Sequence, residues 1–332
     1  MDKRVMQQET LKKYFAERGY KIETPQPVAH NEDTVFVTAG IQPILARYRR
    51  GEMEDSKKIF IPQPVIRTQF ASSVAEGSSI AFVNPTTSGF NITEKEHEQL
   101  VNDWIELFYE LGMKKSDIST CHDYYEHNWG DLQVEGKRTF FYHKDVEIGD
   151  TTFFTKVEKD GKNVGIESMS DLGFGLERLR WCANDKQGYF DLYSDSSQLS
   201  PEVKATLSVL ALLAVNDINP SNKNTGYRAR LFSKKLAGIM NGLSMPNEFN
   251  EYLVECMRYW GEWQSVNSNL ETTAIQNEYI RNCNRIILDR LISEGYTNIS
   301  GININISKEE FRRRLIGSGV ESRKVDEYMG EI

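Results

Sequence analysis

The chain has 332 residues, 39% hydrophobic and 27% charged, which is enough for a sizeable core and about two domains of ordinary size. A formal net charge of −8 argues against a generic nucleic-acid coat, and the imbalance is local: residues 205–332 carry 15 Lys+Arg against 15 Asp+Glu, leaving 25 against 33 in the first 204. Four scattered cysteines without a Cys-X-X-Cys pair, no apolar run near the ~20 residues that span a bilayer and no signal-like start set aside a disulfide framework, a zinc site and a membrane partner, so a reducing, cytoplasmic setting is expected.

Residues 3–19 place Val5, Leu11, Tyr14 and Phe15 at helical spacing and stop at Gly19, which predicts an amphipathic opening helix. The β-branched run at 34–38, closed by Ala39-Gly40, reads as a buried strand turning into Ile41-Gln42-Pro43-Ile44-Leu45. Residues 59–67 form a second apolar run whose prolines, Pro62 and Pro64, suggest an edge strand or a loop leading into the sheet. A loop rich in Ser, Ala and Gly (68–79) separates it from a return strand at 80–83. Residues 96–112 carry Leu100, Val101, Trp104, Ile105, Phe108 and Leu111 on one stripe closed by glycine, a scaffold helix.

Residues 122–131 mix histidines, acids and aromatics. His122 and His127 are five apart and do not share a helix face, so solvated loop residues are expected there rather than metal ligands. Residues 138–143 and 146–154 read as neighbouring antiparallel strands, with a later turn at Lys159-Asp160-Gly161-Lys162. Ser170 to Trp181 then reads as a strand, a Gly-X-Gly bend at Gly173 and Gly175, and a helix carrying Arg178. Two glycines two apart let a backbone pass close to a ligand, and Arg178 would lie beside a phosphate; an ordinary glycine hinge is the plain alternative. No Gly-X-X-Gly follows, so a dinucleotide fingerprint is not supported. Beyond Gly188 the composition turns helical, with a polar turn at 219–230, Lys234 and Lys235 on the next helix, and a long helix at 271–295.

The stretch Gly173-Phe-Gly-Leu-Glu-Arg178 closely resembles motif 3 of the class II aminoacyl-tRNA synthetases. Residues 11–19 followed by 33–40 look like motif 1 of the alanyl-tRNA synthetases, with Thr38 for the family asparagine, and Arg67 stands where motif 2 carries its arginine. The strand at 146–154 is similar to those of alanyl enzymes and of the bacterial glycyl α-chain, and residues 219–230 resemble the segment opening the alanyl family's tRNA-acceptor domain. Gly188-Tyr-Phe-Asp191-Leu looks like the exit from the catalytic domain.

The resemblance implies an α+β fold on the class II antiparallel sheet over residues 1–200 and an all-α domain over 201–332. It implies ATP-dependent activation of an amino acid as its adenylate and transfer to tRNA. Arg67 and Arg178 would be catalytic; Phe82, Glu147 and Gly175 would join them around ATP, with Mg²⁺ held partly by Glu147. Phe82 would either stack on adenine or serve as a core aromatic. Trp129, Asp150, Thr152 and Asp171 would hold the amino acid, and Asn224 and Lys235 the tRNA acceptor stem, alongside a basic trio at Arg312, Arg313 and Arg314. Gly149, Asp150 and Thr152 replace a tryptophan, an asparagine and a valine of the family, three departures expected together in the substrate pocket, so an amino acid other than alanine is expected. The histidine and cysteine groups of the family's editing site are missing. An oligomer is compatible with these features. The alternatives are a paralogue that hands its aminoacyl group to a carrier protein or small amine, and a non-catalytic regulatory module.

Overall fold

The computed structural model describes residues 7–29, 34–53, 56–190, 199–243, 247–266 and 271–330. Asp33 and Asp191, at the edges of two family-like stretches, lie outside these residues. The chain divides into two compact units, Met1–Leu192 with Gly261–Asn267, and Tyr193–Trp260 with Ser268–Ile332.

In the first unit the opening helix forms as α1 (Gln8–Glu17), burying Leu11, Tyr14 and Phe15. It is followed by β1 (Lys21–Ile22), α2 (Ile41–Arg49), β2 (Ile59–Ile66), β3 (Ala81–Phe90) and α3 (Glu94–Glu110). Thr93 and Glu96 close a reciprocal capping box that fixes where α3 begins. Then come β4 (Ile118–Trp129), β5 (Leu132–His143), β6 (Val146–Lys159), β7 (Lys162–Asn163), β8 (Met169–Phe174) and α4 (Leu176–Ala183). The strands form one mixed but mostly antiparallel sheet in the order β1-β2-β3-β8-β6-β5-β4, with β7 on β6; only β1 and β2 pair in parallel.

Alternation along β8 sets the two faces of this sheet. Ser170, Leu172 and Phe174 point one way, where Phe174 packs against Trp104 and Phe108 of α3. Asp171 and Gly173 therefore point the other way, toward the face where Ile41, Ile44 and Leu45 of α2 share a core with Phe90, Phe154 and Met169. Gly40 starts α2 tight against β3: a Cβ there would come within 2.3 Å of Thr86 Oγ1.

Three expectations change. Residues 34–38 bury Phe36 and Val37 without forming a strand. Phe36 makes a single bridge with Ala29, Val37 bonds to Val28 and Ile66, and the Gln42 side chain takes the Thr38 N–H, so local groups satisfy the backbone that a ladder would have used. Residues 122–129 are not loop but most of β4, an exposed strand paired with β5 along its whole length. Its polar composition suits a strand that has no further neighbour among the described residues. Pro62 and Pro64 lie inside β2, which β1 covers only at Ile59 and Phe60, so the missing N–H groups fall where no strand pairs.

The second unit contains α5 (Pro201–Val215), α6 (Asn224–Ile239), most of α7 (Asn247–Gln264), α8 (Thr273–Ser293), α9 (Lys308–Gly317) and α10 (Ser322–Met329). Its C-terminal core packs Ile287 and Leu291 of α8 against Phe311 and Leu315 of α9 and Val325 and Met329 of α10. The fold is α+β, with ten helices and an eight-stranded sheet among the described residues.

Candidate active site

Strand register assembles the site. Arg138 of β5 pairs with Thr152 of β6, Thr152 with Asp171 of β8, and Asp171 with Ser88 of β3, so these side chains form one row on the face away from α3. The adjacent row runs Phe140, Asp150, Gly173, Thr86. Arg67 enters from the end of β2, where its N–H donates to Ile80 O and its Nε donates to Thr38 O at 2.8 Å. Its guanidinium stands over the Phe82 ring, 5.1 Å from the centroid.

Two adjoining hollows open over this face. The larger, about 570 Å³, is lined by Asp150, Thr152, Asp171, Tyr125, Trp129 and Arg138 among others. The smaller, about 70 Å³, is lined by Phe82, Glu147, Gly173, Gly175 and Arg178. Arg67 and Asp150 line both. Phe82 is half-buried and faces the smaller hollow, which removes the core-aromatic alternative. The Trp129 indole is held in place by its Nε1 donating to Tyr125 OH at 2.8 Å and by edge contact with Phe154.

The electrostatics follow from enclosure. Burial pushes the Asp171 carboxyl up to about 8, with the nearby Asp150 charge adding to the rise and Arg67 opposing it. Its Oδ1 is enclosed and has no hydrogen-bond partner. Burial also raises Asp150, against the pull of Arg138 and Arg67, and lowers Arg67. A buried carboxylate with an open acceptor and no cation of its own is suited to an ammonium ligand.

Arg178 sits on the first turn of α4, where its Nε donates to Gly77 O at 2.8 Å and its Nη1 to Glu147 O at 3.0 Å. It thus ties the loop after β2 to β6 while lining the smaller hollow. Two neighbours in this motif were not anticipated. Glu177 is buried and both its oxygens accept from Val83 N–H, and Asn84 accepts from Gly40 N–H while donating to Phe174 O. Together they lock α4, β3 and the start of α2 around the glycines. An acid beside an arginine in an otherwise apolar helix turn was the only signal for Glu177; Asn84 left none.

Gly149 is a correction. It sits at an irregularity of β6 on the face opposite Asp150 and Thr152, and a Cβ there would meet Gly173 O and Phe174 Cδ1, each at 2.4 Å. Of the three family departures, Asp150 and Thr152 line the larger hollow, whereas Gly149 lines the smaller one and has no room for a side chain.

No family model matches this chain, and no curated protein matches it in sequence.

In the second unit Asn224 begins α6 and Lys235 lies eleven residues on, three helical turns to within about 20°, so the two share a face. Between them Tyr227 and Leu231 are 47% and 39% exposed, and Arg228 and Lys234 are exposed as well. The basic trio of α9 is largely balanced: Arg312 pairs with Asp326, while Arg313 and Arg314 share the single carboxylate of Glu310. Among the described residues no group of three His, Cys, Asp or Glu could hold a metal ion, so the Mg²⁺ expectation rests on Glu147 alone.

Proposed function

We propose that the chain activates an amino acid with ATP, as an alanyl-tRNA synthetase-like ligase, and transfers it to tRNA. The observation that carries this reading is Arg67 at the seam of the two hollows. Adenylation requires an amino-acid carboxylate and an α-phosphate, both anionic, to meet at one point, and a guanidinium lining both subsites neutralises the pair where they meet. The carboxylate oxygen attacks the α-phosphorus and the bond to pyrophosphate breaks, with Arg178 beside the departing charge.

Asp171 and Asp150 would hold the ammonium, orienting the carboxylate toward Arg67, while Thr152 and Trp129 bound the side chain. Phe82 and the bare backbone at Gly175 would take the nucleoside end. Mg²⁺ would arrive on the triphosphate, neutralising it, and Glu147 of the smaller hollow would contribute a carboxylate; a magnesium ion that keeps water and phosphate oxygens needs few protein ligands. The deciding experiment is amino-acid-dependent exchange of pyrophosphate into ATP. A panel of amino acids that gives no exchange while ATP still binds would transfer the assignment to a regulatory module.

For the acceptor, the α6 face with exposed Asn224, Tyr227 and Arg228 and a half-buried Lys235 favours a nucleic acid, because cations interleaved with an aromatic suit phosphate and base together. Charging of total tRNA that weakens as salt rises would support it. Adenylate that forms yet never reaches tRNA would point to a carrier-protein thiol or a small amine.

A further inference from the structure

Apart from Arg49, which Asp131 neutralises, Arg138 is the one charged side chain of the larger hollow that amino-acid activation leaves without a task. It lies in the same cross-strand row as Asp171, two strands away. That is about 10 Å between backbones, so both side chains stand over the same hollow within reach of one bound amino acid. Its guanidinium is held between two rings, 4.9 Å from the Tyr125 centroid and 4.3 Å from that of Phe140. Its Nη2 donates to Asp123 Oδ2 at 3.0 Å. The Asp123 carboxylate is 52% exposed and largely solvated, whereas the Arg138 Nε is enclosed and has no hydrogen-bond partner. An unpaired donor on a guanidinium fixed by stacking is preorganised to receive an acceptor such as a carboxylate.

The charges lining the hollow agree. Arg49 is already paired with Asp131, so Arg67 and Arg138 stand against Asp150 and Asp171. A neutral zwitterion engages Asp171 through its ammonium and Arg67 through its α-carboxylate, and it brings nothing to Arg138. A side chain ending in a cation would lie beside an arginine. A side chain ending in a carboxylate completes the set.

We propose that the amino acid taken by this site is an α-amino dicarboxylate whose side-chain carboxylate is bound by Arg138, against the aromatic wall of Tyr125 and Trp129. This rests on the amino-acid-activation reading for the orientation of the ligand.

The test has two arms. In the first, binding of L-aspartate, L-glutamate, their amides, L-alanine, glycine and L-lysine to the unmodified protein is measured calorimetrically without ATP. One dicarboxylate should bind more tightly than its own amide and than alanine, by about 10- to 100-fold, the value of a charged hydrogen bond. Arg138→Met, checked for folding by circular dichroism, should abolish that preference, and Arg138→Lys should recover part of it. Alanine, glycine or lysine binding more tightly than both dicarboxylates overturns the proposal, as does a dicarboxylate preference that survives in Arg138→Met. In the second arm the same panel is run in pyrophosphate exchange. Dicarboxylate binding without exchange upholds the assignment of Arg138 and overturns activation, whereas exchange best supported by a neutral amino acid does the reverse.

Discussion

Arg67 donates from Nε to the Thr38 carbonyl at 2.8 Å, which fixes its guanidinium over Phe82 where the residue lines both hollows. Arg67→Ala should lower the rate of pyrophosphate exchange about 10²- to 10³-fold, the usual loss for one preorganised donor at developing charge. Arg67→Lys should recover little, because a lysine keeps the charge but cannot both bond Thr38 and span two anions. Wild-type rates in either variant would remove Arg67 from the chemistry.

Arg178 has a second role readable from its bonds to Gly77 O and Glu147 O. Arg178→Ala should depress exchange and also release the 68–79 loop, seen as faster amide hydrogen exchange in that segment than in β3 or β8. Unchanged protection of the loop would mean that the two bonds do not anchor it.

Gly149 tests the correction to the pocket. Gly149→Ala should destabilise the protein by about 1–3 kcal/mol in urea unfolding, because its Cβ would overlap Gly173 O and Phe174. Amino-acid preference should not move. A stable Gly149→Ala protein with altered preference would return this residue to the pocket.

Asp171 gives a pH dependence with a definite sign. Its carboxyl titrates near 3.9 in an unfolded chain and is pushed up to about 8 here, so between those values the folded state holds a proton that the unfolded state has lost. Its contribution to stability is therefore full below about pH 4 and is lost as pH rises through about 8. Relative to wild type, Asp171→Asn should be more stable at pH 8.5 than at pH 4.5 in paired thermal melts. Ammonium binding should draw the carboxyl down and release a proton near pH 7, measurable as a dependence of binding heat on buffer ionisation enthalpy. Binding heats independent of the buffer would place the ammonium away from Asp171.

Much of the site was legible from spacing. The Ser170–Arg178 stretch reads directly as strand, bare-backbone bend and helix, and the structure has β8, the Gly173 and Gly175 bend and α4 there. Alternation along the strand sets side-chain direction: Gly149 and Asp150 are adjacent, so a side chain at 149 would turn toward Phe174 while that of Asp150 lines both hollows. The α9 arginines looked like a positive face because their partners, Glu310 one turn back and Asp326 on the next helix, offset two of the three charges only once the helices form and pack.

The sequence by itself determined the local pieces: the capping box of α3, the glycines at the bend, the aromatic stripe under the sheet, and an arginine at the end of an apolar run. Those depend on neighbours a few residues away, and helical or strand periodicity carries them. Only the tertiary structure decided which of the pieces meet. Arg138, Thr152 and Asp171 share a row because β5, β6 and β8 pair in one register, a relationship between residues up to 33 positions apart that no local pattern encodes. The raised carboxyl of Asp171 belongs to the same level, since enclosure by the folded chain, not the identity of the residue, withdraws the water that would otherwise keep it ionised.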